Sequence, residues 1–548
     1  MTSAHSPATN DRSRSAGGSR SAGHHPPTGR SGARSPVAHR LPDAAFAALA
    51  AGRPDAATVA ELRRSQLSRH LLLLRAIVQA APTMATRWYG VLAAAERQAP
   101  DAVRSVLAYP LVGVWATGCL AALRAGVPPS GAGVSHLAAL AAAATARAGL
   151  PVPDVCPGGP ARRLTATHDG MRLDVVLDDT DPLRARLGLT PTGRLTDAEV
   201  THWQHCLEAA WRLLVARHRH HAEVLAAVLT CIVPVQPDTN ARGISATSAD
   251  AFGAVAMSAP ADATALAVGL LHEIRHSLLN AVTYLFDLHD GPGEPGYSPW
   301  RDDPRPAPGL LHGAYAYLAV TDFWRVESRT GDPVAAFEFA RWRAAVPAAA
   351  ESLLAGGTLT PAGARFVGAL HRAAVDLLDE PVAPAVTRLA EAANEDHRLR
   401  WRLRNLTVDP VTVRELADAW RQHVPPPPAD AAVRVRPAGR RGLESSNRLD
   451  LTHRLLRGDL PTGAPPDGDG DLAFVRGDAA TAVRAYRRRI VARPDDDAAW
   501  AGLALTGAWP ALRDRPEVMT AVYRALATGP GPARPDPVSV AVWLDTAG

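Results

Sequence analysis

Apolar residues recur every three to four positions over much of the chain, which is the spacing of one face of an α-helix. This pattern runs through residues 39–149 and returns in several segments between 310 and 421. Residues 163–178 instead alternate with a period of two around a glycine turn, which predicts a β-hairpin. Short apolar runs at 228–235 and 254–257 predict buried strands. The pattern therefore predicts a mainly α protein with a small β-sheet.

The most informative stretch is a proline-free segment, residues 261–291, that contains His272-Glu273-x-x-His276. Residues four apart on a helix lie about 40° apart around the axis and about 6 Å apart along it. Both imidazoles therefore leave one face, where they can bind one metal ion with Glu273 beside its open side. The competing interpretation is a buried amphipathic helix whose histidines make ordinary hydrogen bonds. The sequence favours the metal site.

A strand that leads by a short turn into such a helix is typical of zincin-like folds, whose edge strand can pair with an extended peptide. We therefore expect a zincin-like strand–helix core between a helical N-terminal region and a helical C-terminal module. Residues 477–504 resemble one tetratricopeptide-like helix pair. The expected divisions are a disordered tail at 1–36, a catalytic domain at 37–425 (parts 37–160, 161–345 and 346–425), and a linker with the helical module at 426–548.

One long helix is expected from about Thr196 to Ala226, capped by Thr196 or Asp197. It carries several histidines, and His202 and Cys206 are four apart, a spacing that permits metal binding. No base placed as in H-E-x-x-H accompanies that pair, so a solvated helix face is the preferred interpretation.

Two helical histidines need a third protein ligand to form a catalytic metal site. The extended pattern H-E-x-x-H-x-x-G-x-x-H is absent, because Leu279 and Val282 occupy the glycine and histidine positions. His312 is the first choice, since it opens a helix after a Gly/Pro-rich loop long enough to fold back over the motif. A structural helix-start histidine is the alternative role for His312. The other candidates, in order, are Glu327, then His289 and Asp287.

Composition excludes several functions. The chain contains no lysine, so all 59 basic residues are arginine. A Walker A lysine, a pyridoxal Schiff base and a lysine nucleophile are therefore excluded. The formal net charge of +5 is small for 548 residues and gives little reason to expect a nucleic-acid partner.

Cysteine usage and hydropathy indicate the compartment. The four cysteines are scattered without a C-x-x-C pair, which fits a reducing cytoplasm and neither a disulfide scaffold nor a zinc ribbon. The N-terminus has no apolar signal region, and the mean hydropathy is -0.07. We expect a soluble cytoplasmic protein with no membrane partner.

Several stretches beyond the metal motif together resemble a known family. They are His39-Arg-Leu-Pro-x6-Leu49, His272-Glu-Ile-Arg-His-Ser277-x-x-Asn280, Pro299-Trp-Arg-Asp-Asp-Pro-Arg-Pro306, Leu310-Leu-His-Gly-x-Tyr315-x-x-Leu318 with Phe323-Trp324-Arg325, and His397-x3-Trp401-Arg402-x-Arg404. This combination, over about residues 38–425, resembles the actinobacterial HEXXH-motif proteins found with ribosomally made, post-translationally modified peptides.

The resemblance implies an iron(II)- and 2-oxoglutarate-dependent peptide β-hydroxylase that acts on a precursor peptide. It implies that His272 and His276 bind the metal. Members also occur fused to radical-SAM peptide-modifying enzymes. Because this chain lacks the C-x3-C-x2-C pattern of those enzymes, the resemblance implies a radical-SAM enzyme as a separate partner.

The residues are compatible with that chemistry. An iron(II) oxygenase uses three protein ligands and leaves three positions for a bidentate 2-oxoacid and O₂. The distal carboxylate of 2-oxoglutarate suits a bidentate guanidinium, and lysine is unavailable here. The candidates for that role are Arg301, Arg305 and Arg325, and their alternative role is salt bridges to Asp302 and Asp303.

Two other functions remain open at this point. A zinc metallopeptidase would use the same histidines with Glu273 as general base on a metal-bound water. A non-catalytic peptide-binding scaffold would keep the helix without a functional metal. The sequence does not separate these from the hydroxylase.

Overall fold

Helices surround a small mixed β-sheet in the computed structural model of the chain. The structure describes residues 38–127, 133–151, 162–238, 243–428, 432–436, 446–463, 469–528 and 534–546. The predicted tail at 1–36 therefore lies outside the described residues. By contacts, Met1–His39 separates from Arg40–Gly548, and the latter is one compact unit. The predicted division near residue 425 stays a prediction.

Prolines divide the N-terminal region into more helices than its apolar pattern predicts. A single apolar face from Val103 to Leu120 was expected, but Pro110 starts a new helix within it. Proline is favoured at the first helical position and disfavoured inside a helix, so it sets these boundaries. The helices are α1 (Asp43–Ala50), α2 (Ala56–Ala80), α3 (Pro82–Gln98), α4 (Pro100–Leu107), α5 (Pro110–Arg124) and α6 (His136–Arg147).

The predicted hairpin is confirmed. Strand β1 (Arg162–His168) pairs antiparallel with β2 (Met171–Leu177). The turn between them is Asp169-Gly170, with φ of 42° and 72°, which is the primed turn that matches strand twist. The strands of the sheet also include β3 (Cys231–Val235), β4 (Ser245–Ala246) and β5 (Ala254–Ser258).

The sheet is mixed, with strand order β1-β2-β3-β5-β4. β3 is parallel to both β2 and β5, whereas β4 is antiparallel to β5. Every residue of β3 and β5 is buried, as expected for strands covered on both faces. β4 is an edge strand in the part of the chain that the structure describes.

The single helix expected at 196–226 is two helices, α7 (Asp197–Arg217) and α8 (Arg219–Val228). The Thr196 cap is confirmed, with a full capping box to Glu199. The break falls at His218, whose backbone leaves the helical region at φ -130°, ψ 45°. The solvated-face interpretation of His202 and Cys206 is wrong for Cys206, which is buried, whereas His202 is exposed. Further along, His218 and His221 are also buried. They pair with acidic residues of a later helix.

The motif lies on α9 (Ala263–Thr283), which follows β5 through residues 259–262. The Asp262 carboxylate caps α9 by accepting a 2.8 Å hydrogen bond from the Ala265 amide. The opposite side of the helix buries Leu270, Ile274 and Leu278 in the main hydrophobic core. The predicted strand–helix core is therefore present and presents the motif face toward the sheet edge and the next helix.

The rest of the chain is helical apart from one short strand pair, β6 (Leu406–Val408) with β7 (Val433–Val435). Two helices at 479–506 pack closely, since a Cβ at Gly502 would lie 2.3 Å from the Tyr486 ring. That they form a tetratricopeptide-like pair stays a prediction. The helices are α10 (Ala307–Ser328), α11 (Pro333–Ala355), α12 (Pro361–Val375), α13 (Pro384–Asn405), α14 (Pro410–Arg421), α15 (Asn447–Arg457), α16 (Gly470–Val475), α17 (Ala479–Ala492), α18 (Asp497–Thr506), α19 (Pro510–Asp514), α20 (Pro516–Thr528) and α21 (Pro537–Asp545).

No single described helix is long and apolar enough to cross a membrane. Only the bent pair α4 and α5, at 68° to each other, reaches that length and composition together.

Candidate metal centre

The two motif histidines face each other on α9. Their Nε2 atoms lie 3.0 Å apart, and the ring planes are nearly perpendicular at 86°. One ligand atom each of His272, Glu273 and His276 lies within 4.8 Å of the others. These three residues therefore form a group that can hold a metal ion.

Burial sets the protonation state of both imidazoles. It lowers the pKa of His272 to about 4 and the pKa of His276 further below its usual value. The neighbouring His272 and His312 add to the lowering at His276. The neutral form, which is the one that ligates a metal, is therefore the form present at neutral pH.

Glu273 is tied to the edge strand. Its side chain is buried, and Oε1 accepts a 2.7 Å hydrogen bond from the Ser245 hydroxyl of β4. Burial raises the pKa of Glu273 to about 7, against the lowering effect of hydrogen bonds from Ser245 and Thr247. Sequence reasoning missed Ser245, because nothing in a two-residue strand after a polar loop signals its partner.

His312 lies beside the pair, on α10, which packs along α9. Its Nδ1 atom is 3.3 Å from Nδ1 of His276. Because His276 presents Nε2 to His272 and Nδ1 to His312, the three imidazoles form a row with His276 in the middle. His312 thus lies on the side of His276 that faces away from His272, next to the group of His272, Glu273 and His276, and its role as third ligand stays a prediction.

The other ligand candidates differ in their surroundings. Glu327 lies 15 residues beyond His312 on α10, about 22 Å along the helix. It is engaged there by His218 at 2.6 Å and Arg217 at 3.0 Å. His289 interacts electrostatically with His312. Burial is the main cause of the lowered pKa of His312, and the charge of His289 lowers that pKa further. Both ring nitrogens of His289 are buried without a hydrogen-bond partner among the described residues, so His289 is the next candidate after His312.

A connecting segment between α9 and α10, residues 290–306, packs on α10 next to His312, and we call it the site loop. Trp300 anchors it: the indole stacks on Tyr317 with ring centroids 4.9 Å apart. A Cβ at Gly313 would lie 1.9 Å from Trp300 Nε1, so only glycine admits the indole there. Tyr317 in turn makes an edge contact with the His272 ring at 5.3 Å.

Tyr317 is therefore an aromatic neighbour of the motif histidines, and Tyr315 is not. Tyr315 points away and donates a 2.7 Å hydrogen bond to the carbonyl of Leu49 in α1. Gly313 and Tyr317 are four residues apart and therefore lie on one face of α10. This spacing is the signal that could have identified where Trp300 packs.

The three candidate arginines occupy two places. Arg301 and Arg305, on the site loop, share one carboxylate, with Nε atoms 2.9 and 3.3 Å from Asp303. Arg325 lies 13 residues beyond His312, about 20 Å along α10. There it pairs with Asp322 at 2.8 Å and Glu380 at 3.3 Å. Arg301 and Arg305 therefore lie on the loop that packs on α10 next to His312, whereas Arg325 is remote from the motif.

No protein-family model matches this chain, and no curated protein does either. The family resemblance therefore rests on the sequence stretches that carry it.

Proposed function

We propose that this protein is an iron(II)- and 2-oxoglutarate-dependent oxygenase that hydroxylates a side-chain β-carbon of a ribosomally made precursor peptide. The reaction converts 2-oxoglutarate, O₂ and a peptide C–H bond into succinate, CO₂ and a C–OH bond. In this proposal His272, His276 and His312 hold the metal, and a separate radical-SAM enzyme acts on the same peptide.

The donor set fits a metal ion. Two nitrogens that each lie about 2.1 Å from one ion are about 3 Å apart when their bonds make a right angle, and His272 and His276 have Nε2 atoms at 3.0 Å. Bound iron(II) supplies activation of O₂ for oxidative decarboxylation of the oxoacid. The protein's own contribution is to bind the oxoacid, orient the peptide and keep water from the centre.

One observation carries the choice of an oxoacid cosubstrate. The site loop places two guanidinium groups, Arg301 and Arg305, on the single carboxylate of Asp303. The other acid of that part of the loop, Asp302, pairs instead with Arg404 of α13 at 2.9 Å. Two guanidinium groups of residues 300–306 therefore share one loop carboxylate, and this pair of arginines suits a dicarboxylate cosubstrate.

The sheet edge supports a peptide as the second substrate. β4 ends the described sheet, and its Ser245 contacts Glu273 directly. An extended peptide that pairs with β4 would pass beside the His272–His276 pair, as in other cases of β-strand addition.

A zinc metallopeptidase is the second candidate, and the position of Glu273 favours it. The carboxylate lies within 4.8 Å of both imidazoles, where a general base for a metal-bound water would sit. Glu273→Gln separates the two functions. A peptidase loses its base and its activity, whereas an oxygenase keeps metal binding and part of its turnover.

Calorimetry with 2-oxoglutarate on the anaerobic, iron-loaded protein tests the proposal. Wild type should bind the oxoacid, and Arg301→Met or Arg305→Met should weaken binding at least about tenfold, as expected for a lost charge-assisted pair. Arg329→Met, on the remote end of α10, is the matched control and should bind as wild type does. An absence of binding to wild type contradicts the proposal.

A further inference from the structure

Helix α13 also holds the site loop. The Asp302 carboxylate accepts a 2.9 Å hydrogen bond from Nη1 of Arg404. The Asp302 carbonyl accepts a second 2.9 Å hydrogen bond, from Nδ2 of the buried Asn405. One loop residue thus meets two successive residues at the end of α13 through both its side chain and its main chain.

His397 lies about two helical turns before Arg404 on α13. It contacts two residues of the same loop. Its ring is only 1% exposed. Nδ1 lies 2.9 Å from the Tyr297 hydroxyl, and Nε2 lies 3.6 Å from the Asp302 carboxylate. The Tyr297 ring also packs edge-on against Trp401. A buried imidazole whose two nitrogens face two residues of one loop fixes that loop's path.

Asp302 is suited to this role because it stays ionised. Burial raises its pKa, but the neighbouring His397 imidazole and the charges of Arg404 and Arg400 outweigh burial and leave the pKa lowered. An ionised, partly buried carboxylate with a guanidinium partner is among the stronger polar contacts in proteins.

The loop is therefore fixed on both sides of Arg301. Trp300 is seated on α10 against Gly313, and Asp302 is bound to α13. Because residues 300 and 302 are both held, the backbone of Arg301 has little freedom. Its side chain direction is set by Asp303, which accepts from Arg301 Nε at 2.9 Å.

We propose that His397 and Arg404 are positioning residues, which hold the site loop through Tyr297 and Asp302 so that Arg301 and Arg305 are placed for the anionic cosubstrate. This assignment rests on the proposed function for the identity of that cosubstrate. The holding of the loop itself does not depend on it.

The same helix provides a matched control. Arg402 lies two residues before Arg404 and also makes charge-assisted hydrogen bonds, at 2.9 and 2.6 Å, to a single carboxylate. Its partner is Glu517 of α20, and no contact links Arg402 to the site loop among the described residues. Arg402→Met therefore removes an equivalent ion pair from α13 without releasing the loop.

The test compares full-length Arg404→Met, Asp302→Asn and Arg402→Met by two readouts. Amide hydrogen exchange across residues 290–306 should become about tenfold or more faster in Arg404→Met and Asp302→Asn. In these variants the loop can open locally without the cost of breaking the Asp302 contacts. It should stay at the wild-type rate in Arg402→Met. With iron(II) and 2-oxoglutarate, the first two should raise KM for the oxoacid about fivefold or more with kcat within about twofold. Arg404→Lys should restore part of the affinity, since it keeps the charge but not the planar fork.

Equal exchange rates in Arg404→Met and Arg402→Met, or equal changes in KM, would overturn the assignment. If wild type consumes no 2-oxoglutarate, the proposed function fails, and the exchange comparison alone decides whether α13 holds the loop.

Discussion

The Ser245 hydroxyl of the edge strand donates a 2.7 Å hydrogen bond to Oε1 of Glu273 in the motif helix. This single contact joins the sheet edge, where a peptide could add as a strand, to the residue between the two metal-binding histidines. The hydrogen bond thereby fixes the edge strand β4 relative to the motif helix α9.

Loss of the Ser245–Glu273 hydrogen bond should destabilise the folded protein. Ser245→Ala leaves the buried Glu273 carboxylate with one donor fewer, and we expect it to lower the free energy of unfolding by about 1–3 kcal/mol. Chemical denaturation measures this. Ser352→Ala is the control: Ser352 is exposed and bonds only the Ala348 carbonyl of its own helix, so its effect should stay within about 0.5 kcal/mol. Equal effects of the two substitutions would contradict the importance of the Ser245–Glu273 bond.

The packing of Trp300 against Gly313 gives a second prediction. Gly313→Ala places a Cβ 1.9 Å from Trp300 Nε1, so the indole must leave, and we expect about 1–3 kcal/mol lower stability from overpacking. Gly309→Ala, one turn earlier on α10, has its nearest neighbour at 3.6 Å. There alanine should be neutral or stabilising by up to about 1 kcal/mol, because it is the better helix former. Thermal unfolding of both variants measures the contrast, and a stable Gly313→Ala would refute the close packing.

These contacts show what the sequence could and could not predict. The hairpin, the Thr196 cap and the motif helix follow from local signals: a period of two with Asp169-Gly170, a capping box, and an apolar stripe. The break at His218 does not, because the chain there carries no proline or glycine. What ends α7 is tertiary: His218 is buried between Phe323, on which it stacks at 4.4 Å, and Glu327.

Site residues divide in the same way. His272 and His276 are predictable because helix geometry alone puts both on one face. His312 required an argument about loop length, and its contact with His276 agrees with that argument while its ligand role stays a prediction. Ser245 had no sequence signal, and Arg404 stood in a stretch that resembles the family but had no predicted partner, since the partners of these residues lie 28 and 102 residues away. The role of Arg325 was inferred from residue type alone, which carries no information on distance.

Metal binding gives a third prediction. His272→Ala and His276→Ala should each weaken cobalt(II) or iron(II) binding by about 100-fold or more, because loss of a direct ligand should exceed the 10–100-fold effect of outer-shell substitutions. The fold should be retained, which circular dichroism checks. His205→Ala, an exposed position on α7, should bind metal as wild type does. Full affinity in either motif variant would refute the centre.

His312 and His289 can be separated in the same assay. We expect His312→Ala to weaken metal binding about tenfold or more and His289→Ala to do so less, because only His312 is observed against His276. If His289→Ala has the larger effect, the third ligand is His289 and the assignment of His312 is wrong.

A pH-dependent prediction comes from α13, away from the metal centre. Burial would raise the pKa of Asp396, but the charges of Arg448 and Arg400 and hydrogen bonds from Arg448 and Ser446 hold it at about 2. The pKa of Asp396 in the folded protein lies below the ordinary aspartate value of 3.8. Ionised Asp396 therefore stabilises the fold above about pH 4, and this stabilisation is lost as the pH falls toward 2. The pKa difference corresponds to about 2 kcal/mol.

Asp396→Asn should therefore be destabilised at pH 7, where it leaves the buried Arg448 without this partner. Its deficit relative to wild type should shrink as the pH falls from 5 to about 3, as urea unfolding at each pH would show. A deficit that is constant over that range would mean that Asp396 is not ionised in the folded protein.

The most direct measurement of the central claim is succinate formation from labelled 2-oxoglutarate by the purified full-length protein with iron(II), O₂ and ascorbate, the two-electron reductant that takes the place of the peptide. The account predicts succinate and CO₂ in equal amounts, lost in His272→Ala and His276→Ala and absent when zinc replaces iron. A protein that forms no succinate with iron but cleaves peptides with zinc, and stops when Glu273 is changed to Gln, would contradict it.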